Sequence, residues 1–217
     1  MKTVKMNNGT APEGTVDHVV GILQRGGVVC LPCNGTYRLF ADVENEEAVL
    51  RLLQTKRRVK KAPSLVFIDD ISRLHRVTDH VDPVASTLAR EFWPAPLTIR
   101  FSPTDDLPRD VVRELTKATG KIGVRIPQNP LSHRVVEAFG APLFVSSANK
   151  GRKSGEMSAA QVRHNFGRSI DYFVDAGDLE PAPSSTVIDV DKSDIDIVRS
   201  GAVDGDTIEE VAESARS

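Results

Sequence analysis

The stretch "GGVVCLPCNGTYRL", residues 26–39, sets the organisation of the first half of the chain. Ahead of it, apolar residues recur at helical spacing from Val16 to Leu23, which predicts an amphipathic helix over residues 15–25 with Thr15 as its N-cap. The glycine pair that opens the stretch ends this helix, and the following "VVCLP" predicts a short buried strand.

The two cysteines of the chain, Cys30 and Cys33, lie in this stretch as "CLPC". A C-x-x-C spacing occurs at redox and metal sites. The chain has no second cysteine pair, however, and its five histidines are scattered. We therefore favour a structural interpretation, in which Cys30 ends the buried strand and Cys33 opens a loop. A reducing cytoplasm fits both interpretations.

Beyond this stretch, apolar runs and capping signals mix without a strict strand–helix repeat. Helices are predicted from Asn45, from Asp82–Pro83 and from Asn129–Pro130, and a capping box of Ser158 and Gln161 predicts another. Strands are predicted for "SLVFID", "LTIRF", "IGVRI", "PLFVSS", "DYFVD", "STVIDV" and "DIVR", and a polar helix closes the chain. The pattern predicts one mixed α/β (α+β) domain around a largely central sheet, with residues 1–12 loose.

The composition is that of an ordinary globular protein. The 217 residues are 40% hydrophobic and carry a formal net charge of −2, and this length suffices to bury a core. No apolar run approaches the roughly 20 residues of a membrane helix. The N-terminus also lacks the apolar segment of a secretory signal. We therefore expect a cytoplasmic protein with no membrane partner.

A dense basic run, "KRRVKK" at residues 56–61, follows the second predicted helix. Charge runs commonly form solvated surface turns. Two features favour a ligand site instead: Pro63 stiffens the connection, and "VSSANKG", residues 145–151, places two serines and an asparagine at the end of a predicted strand. Cations and hydroxyl groups together suggest phosphate, although the chain has neither a P-loop nor a G-x-G-x-x-G motif.

The order of these motifs resembles the YrdC-like family, whose best-known members are threonylcarbamoyl-AMP synthases. The quoted stretch stands where the family has a glycine pair, a strand and a Pro-Thr-x-Thr-x-Tyr-Gly-Leu loop. "KRR" matches Lys-x-Arg, "FWPAPLT" matches Phe-Trp-Pro-Gly-Pro-Leu-Thr, and "IGVRIPQNPL" matches Gly-Val-Arg-x-Pro-x-x-Pro-Leu, before "SSAN", "SSTVIDV" and "VRSGAV". The resemblance implies a family domain over residues 15–203, with terminal extensions at 1–14 and 204–217. It also implies a twisted mixed sheet flanked by helices, with a positive concave cavity.

The resemblance implies a nucleotidyltransferase that uses ATP, accompanied by Mg²⁺, with bicarbonate and L-threonine or a variant acceptor, for tRNA modification. Such a reaction depends on positioning and fixed positive charge more than on a general base. No metal-ligating residue is implied. The implied nucleotide-binding residues, of which the first two are also catalytic, are Lys56, Arg58, Ser147, Asn149 and Arg199. The implied substrate-binding residues are Gly35, Tyr37, Arg125 and Ser185.

The departures from the family pattern concentrate in the substrate loop. Cys33 and Gly35 replace the two family threonines, and Arg38 replaces the family glycine. Downstream, Ala62 stands where the family usually has Lys or His, and Lys121 where it often has Thr. Losing a hydroxyl that binds substrate leaves polar groups unpaired, at about 1–3 kcal/mol each. We therefore expect L-threonine to be a poor substrate or none.

Three hypotheses stay open from the sequence. The chain is a threonylcarbamoyl-AMP synthase with an altered pocket, or a paralogue that acts on another amine or binds another anionic ligand. The third hypothesis is a non-catalytic protein that binds double-stranded RNA or acts in translation. In that case Arg57, Lys60 and Lys61 would contact RNA electrostatically, and the partners would be RNA or tRNA-modification proteins.

Overall fold

A computed structural model describes residues 1–56, 64–150 and 155–216, and these residues form ten strands and seven α-helices. The strands are β1 (Lys2–Lys5), β2 (Val29–Cys33), β3 (Thr36–Asp42), β4 (Leu65–Phe67), β5 (Leu97–Phe101), β6 (Ile122–Arg125), β7 (Leu143–Ser147), β8 (Tyr172–Asp175), β9 (Thr186–Asp191) and β10 (Asp194–Arg199). The helices are α1 (Thr15–Gln24), α2 (Glu46–Thr55), α3 (Pro83–Phe92), α4 (Arg109–Thr116), α5 (Pro130–Phe139), α6 (Ala159–Phe166) and α7 (Gly205–Arg216). A short 3₁₀ helix covers Ile71–Arg76.

All ten strands join one twisted sheet, in the order β1-β8-β2-β3-β7-β4-β6-β5-β9-β10. The sheet is mixed. The pairs β2–β3, β3–β7 and β7–β4 are antiparallel, and the pairs β4–β6, β5–β9 and β1–β8 are parallel. Buried side chains of α1 and α5 pack on one face, and those of the other five helices pack on the opposite face. The predicted fold class, a mixed α/β sheet flanked by helices, is confirmed.

The segment after β2 is a hairpin, not the extended loop that the resemblance implied. Cys33 pairs with Thr36, so that only Asn34 and Gly35 form the turn. Both turn residues have positive φ, at 44° and 73°, as a type I′ turn requires. An Asn-Gly pair between two apolar runs is the strongest short-range hairpin signal. Strand β3 is therefore an addition to the strands predicted from the sequence.

The hairpin also settles the local role of the cysteines. Cys30 lies inside β2 rather than at its end, and Cys33 is the last residue of β2 rather than the first of a loop. Because strand residues three apart point to opposite faces, Cys30 packs in one hydrophobic cluster and Cys33 in the other. The two thiols are buried and free, and they cannot share a metal or form a redox pair.

The predicted capping signals are confirmed at three of the helices. The side chains of Asn45, Asp82 and Asn129 accept hydrogen bonds from the backbone N–H groups of the first turns of α2, α3 and α5, at 3.0, 2.8 and 3.0 Å. Two other predictions are wrong. Thr15 is the first residue of α1 rather than its cap, and Ser158 makes no side-chain capping bond. Asp178 from the loop after β8 accepts the N–H of Ala159 instead, at 3.1 Å.

The prediction that residues 1–12 lie loose is wrong for β1, which pairs in parallel with β8 at one edge of the sheet. At the other end of the chain, α7 buries Ile208 and Ala212 in the core that α3 also lines. The division into a domain over 15–203 with terminal extensions stays a prediction. None of the helices in the described ranges combines the length and apolarity that a membrane crossing requires.

Alternation along the strands gives the sheet one apolar face and one face that is apolar beneath α1 and α5 and carries polar side chains at other positions. Tyr37 and Leu39 of β3 enter the larger hydrophobic cluster, whereas Phe40 enters the smaller one under α1 and α5. Continuing on the side of Phe40 across the sheet, the strands present a row of polar side chains. We call this row the polar face: Arg38 (β3), Ser147 (β7), Arg125 (β6), Thr98 and Arg100 (β5), and Asp189 (β9).

Candidate functional site

The end of β7 brings together three of the residues predicted to bind nucleotide. The ammonium group of Lys56, at the C-terminus of α2, donates a 2.6 Å hydrogen bond to Ser146 Oγ. The next residue, Ser147, donates from its hydroxyl to Asn149 Oδ1 at 2.8 Å. Lys56 reaches β7 from the α2 side and is 7% exposed, and Ser147 faces the other side of the sheet. Lys56 and the pair of Ser147 and Asn149 therefore lie near the end of β7 on opposite sides of the sheet.

Several predicted residues fall outside the residues that the structure describes. They are Arg57, Arg58, Lys60, Lys61 and Ala62. The predicted roles of Arg58 at the nucleotide and of Arg57, Lys60 and Lys61 at RNA therefore stay predictions.

Arg38 lies directly across the strand pair from Ser147. The two residues are Cα partners in the β3–β7 ladder, and Leu31 of β2 is the partner of Arg38 on its other side. Its neighbours in sequence, Tyr37 and Leu39, are fully buried on the opposite face. The Nε atom of Arg38 is buried, and it has no hydrogen-bond acceptor among the described residues.

Arg125 ends β6 on the same face and is 2% exposed. Its guanidinium lies over the ring of Phe67, with Cζ 5.1 Å from the ring centroid. Its Nε atom is buried and also lacks an acceptor in the described part of the chain. Burial and the positive charges of Arg38 and Arg199 lower the pKa of Arg125 to about 10, so the side chain is still a cation at neutral pH.

Arg199, the last residue of β10, folds back onto the segment that precedes β9. Its guanidinium donates to the backbone oxygen of Ser185 at 2.8 and 3.1 Å and to the hydroxyl of Ser185 at 2.9 Å. The same hydroxyl accepts from Thr98 Oγ1 of β5 at 3.3 Å. Burial and the charge of Arg38 lower the pKa of Arg199. Arg199 therefore belongs with Ser185 and Arg125, the two residues predicted for the substrate end.

These three residues, Arg38, Arg125 and Arg199, form what we call the arginine cluster. The charges of Arg38 and Arg199 lower the pKa of Arg125, and the charge of Arg38 lowers the pKa of Arg199. The three guanidinium groups therefore lie within reach of one another's charge. Within the described residues, no carboxylate forms an ion pair with any of them. Like charges in a partly buried setting repel, and an anion placed among them would remove that repulsion. The cluster is suited to binding an anionic ligand.

Tyr37 and Gly35, both predicted to bind substrate, have structural roles in the hairpin. The hydroxyl of Tyr37 is buried, donates to Gly177 O at 2.6 Å and accepts from Ala176 N at 2.9 Å. Burial raises the pKa of Tyr37. A Cβ atom on Gly35 would lie 2.5 Å from Ala182 N, so only glycine lets the turn approach that segment. Both residues hold β3 against the loop after β8, and their predicted substrate roles stay predictions.

A metal centre receives no support from the described residues. No group of three or more His, Cys, Asp or Glu side chains in these ranges is arranged to hold an ion. The donor set of the site consists of cations, hydroxyl groups and one amide. Such donors fit an anion and do not fit a resident divalent cation.

The sequence predicts Ser146 among the candidate ligand-binding residues at the strand end, but it does not predict Thr98, and Arg38 stands there only as a departure from the family pattern. The side chain of Ser146 turns toward Lys56 rather than toward the polar face. Arg38 did carry a signal. An arginine between Tyr37 and Leu39, in a run that alternates as a strand, must lie on the opposite side from two fully buried residues.

Comparisons with known proteins show which family the chain resembles. The family model Sua5_yciO_yrdC, described as "Telomere recombination", matches residues 21–201. The chain is 28% identical over 191 residues to the threonylcarbamoyl-AMP synthase of Pyrococcus abyssi, covering 88% of this chain and 55% of that protein. It is 27% identical over 190 residues to the uncharacterized protein YciO of Escherichia coli, covering 87% of this chain and 90% of that protein.

Solved structures show the same relationship. The structure of P. abyssi Sua5 complexed with L-threonine superposes with a TM-score of 0.83 at 27% identity, covering 97% of this chain and 60% of that one. The chain thus spans little more than half the length of the threonylcarbamoyl-AMP synthase that it matches. The family model covers most of the chain, and the chain belongs to the Sua5/YciO/YrdC family.

Proposed function

We propose that the chain is a nucleotidyltransferase of the threonylcarbamoyl-AMP synthase type, with ATP, bicarbonate and an amino acid as substrates. One observation carries the proposal. Ser147, which bonds to Asn149 at the end of β7, lies directly across the β3–β7 ladder from Arg38 of the arginine cluster, and Lys56 bonds to the adjacent Ser146 from the other side of the sheet. Donors suited to phosphate near a group of cations support a reaction between ATP and a carboxylate-bearing amine.

The proposed chemistry needs two steps that balance. The neutral amine of the acceptor attacks the carbon of bicarbonate, and loss of water leaves a carbamate. A carbamate oxygen then attacks the α-phosphorus of ATP, and the bond from that phosphorus to the bridging oxygen of pyrophosphate breaks. Charge accumulates on the phosphoryl oxygens and on pyrophosphate, so fixed positive charge is the main requirement.

The residues of the site supply that charge in two places. Lys56 presents a compact point charge to the phosphates beyond β7, and the hydroxyl of Ser147 and the amide of Asn149 donate to phosphate oxygens. Arg125, whose guanidinium lies over the ring of Phe67, forms an ion pair with the α-carboxylate of the amino acid. Arg199, which donates to Ser185, adds a positive charge to the same site. We propose that Arg58, two residues after Lys56 in the sequence, also binds the phosphates.

Mg²⁺ is proposed to arrive with ATP rather than to occupy a protein site. The described residues lack the carboxylate cluster that a resident divalent ion would require. The cation would be held by the phosphates themselves, and none of the roles assigned above depends on it.

The product is proposed to serve tRNA modification, as the names of the relatives suggest. Matching relatives are called threonylcarbamoyl-AMP synthases, and a neighbouring structure contains L-threonine. We propose tRNA-modification proteins as partners, and the cytoplasm as the location, because tRNA is modified there. The proposed domain covers residues 15–203. The RNA-binding hypothesis for Arg57, Lys60 and Lys61 stays a prediction.

The test of the proposal measures pyrophosphate release from ATP in the presence of bicarbonate and a panel of twenty amino acids. We expect release that depends on both bicarbonate and an amino acid. Replacing Lys56→Met should reduce the rate by on the order of a hundredfold, since charged hydrogen bonds contribute about 1.5–3 kcal/mol each. The matched control is Lys117→Met, because Lys117 is an exposed lysine that pairs with Glu114.

Three outcomes are informative. Release that needs bicarbonate and an amino acid, and that Lys56→Met removes while Lys117→Met does not, supports the proposal. Release without bicarbonate indicates ATP hydrolysis and contradicts it. No release with any amino acid, from protein that melts normally, also contradicts it and favours the non-catalytic hypothesis.

A further inference from the structure

The position of Arg38 demands an explanation beyond the family function. Its place in the motif is that of a glycine in the family pattern, so the side chain is an addition to the site. It extends from the middle of the sheet, between the β2 and β7 strands, with Leu31 and Ser147 as its Cα partners. The arginine side chain occupies a place where the glycine of the family pattern has no side chain.

Among the residues that the structure describes, no carboxylate forms an ion pair with Arg38. The carboxylates that form ion pairs in the described ranges engage other cations. Its Nε atom is shielded from solvent without an acceptor, and the same is true of Arg125, which is 2% exposed. A shielded N–H group of a cation without an acceptor is destabilising unless a ligand supplies one. Two such atoms in one place indicate a ligand with more than one anionic group.

The neighbours of Arg38 decide which end of the site it serves. The charge of Arg38 is the largest charge effect on the pKa of both Arg125 and Arg199. Lys56, by contrast, extends along the α2 side of the sheet to Ser146, whose side chain points away from Arg38. Arg38 therefore shares the polar face with Arg125, on the opposite side of the sheet from the contact between Lys56 and Ser146.

We propose that Arg38 forms a subsite for a second anionic group on the acceptor, so that the acceptor is an amino acid with an anionic side chain. The inference rests on the proposed function, because it takes an amino acid as the acceptor. Arg125 binds the α-carboxylate, Arg38 binds the carboxylate or phosphoryl group of the side chain, and Arg199 contacts both from Ser185. L-Threonine brings only one negative charge and leaves Arg38 unpaired.

The chemistry of the second group has two sources, and the experiment separates them. A carboxylate is supplied by L-aspartate or L-glutamate, and a phosphoryl group by O-phospho-L-serine or O-phospho-L-threonine. Isothermal titration calorimetry of the full chain, without nucleotide, measures the Kd for these four amino acids and for L-threonine. At least one of the four should bind on the order of tenfold or more tightly than L-threonine, because a charged hydrogen bond is gained.

Variants assign the gain to Arg38. Arg38→Met keeps an unbranched side chain similar to the aliphatic part of arginine and removes the guanidinium, and it should remove the preference while leaving the affinity for L-threonine within about twofold. Arg38→Lys keeps the charge and should retain part of the preference. The matched control is Arg100→Met, which removes an arginine of the same face whose guanidinium pairs with Asp189 at 2.5 and 2.6 Å. The control should leave the preference intact.

Each result bears on the proposal separately from the function. A preference for an anionic amino acid that disappears in Arg38→Met supports the subsite, even when no pyrophosphate is released and the proposed function fails. Equal or tighter binding of L-threonine overturns the subsite, even when pyrophosphate release succeeds. If Arg38→Met weakens binding of ATP and not of amino acids, Arg38 belongs to the nucleotide and the proposal is wrong.

Discussion

Arg100 and the arginine cluster have different surroundings, although Arg100 lies on the same polar face of the sheet as Arg38 and Arg125. Arg100 of β5 forms a two-pronged pair with Asp189 of β9, at 2.6 and 2.5 Å, and Lys121 adds a contact to the same carboxylate at 3.3 Å. The arginine cluster has no carboxylate partner among the described residues. The pair of Arg100 and Asp189 therefore contributes to the stability of the fold, whereas we propose that the arginine cluster binds an anionic ligand.

The pKa shifts express the same difference. Burial alone would raise the pKa of Asp189, but hydrogen bonds and charge from Arg100 and Lys121 lower it. The pKa of Arg100 is raised by its hydrogen bonds with Asp189. The pKa values of Arg125 and Arg199 are lowered, first by burial and then by the charge of Arg38, and the charge of Arg199 also lowers the pKa of Arg125. Charged forms are stabilised in the pair and destabilised in the cluster, which is the expected state of a ligand site without its ligand.

The largest expected effect separates the members of the cluster from one another. Arg125→Met should weaken binding of every amino acid, L-threonine included, on the order of a hundredfold, because the α-carboxylate loses a two-pronged charged contact. Arg38→Met should affect only amino acids with an anionic side chain. Calorimetric titration of both variants checks this. If both variants lost the same affinity for all amino acids, Arg38 and Arg125 would not have separate roles, and the assignment would be wrong.

The next effect concerns the paired arginine. Arg100→Met should lower the free energy of unfolding by about 2 kcal/mol, since it leaves the partly buried Asp189 with only the longer contact to Lys121. For a chain of this length the melting temperature should fall by about 4–8 °C. Chemical denaturation and thermal melting measure the two quantities. As a control, Arg113→Met removes an arginine that is mostly exposed and should change the melting temperature little.

A smaller effect depends on pH. The pKa of Asp189 is lowered in the folded protein, so its pairing stabilises the fold above the pKa of an unfolded aspartate, about 3.9, and the contribution disappears as the pH falls through the lowered value. Between pH 7 and pH 5 the stability of native protein and Asp189→Asn should therefore differ by a constant amount. The difference should shrink below about pH 4. A difference that stays constant in acid would mean that the charge of Asp189 contributes nothing.

Most strands of the sheet are predictable from the sequence, and the exceptions are β1 and β3. Asn45, Asp82 and Asn129 were correct as caps because capping is a local hydrogen bond between near neighbours. The β3 strand was missed because the family loop took precedence over the Asn34–Gly35 turn signal. Strand β1 was missed because its only partner, β8, lies far away in the sequence.

The arrangement of the site lay beyond the sequence for a physical reason. Lys56, Ser147 and Arg199 were identified by motif, yet their contacts depend on strand register and on the face to which each side chain points. Nothing local predicts that Arg199 bonds to Ser185 or that Lys56 reaches Ser146 rather than Ser147. The absence of a carboxylate near the arginine cluster is a property of the assembled sheet, and only the structure of the described residues revealed it.

The most direct test of this account compares the melting temperature of native protein and of Arg38→Met, with and without an anionic amino acid. Without ligand, Arg38→Met should melt higher than native protein by about 2–4 °C, because an uncompensated cation has been removed. With O-phospho-L-serine or L-aspartate, whichever native protein binds more tightly, at about a hundred times its Kd, ligand binding should stabilise native protein by about 2.7 kcal/mol and reverse the order. A variant that melts lower than native protein without ligand, or an order that does not reverse with it, would contradict the claim that Arg38 is held unpaired for an anionic ligand.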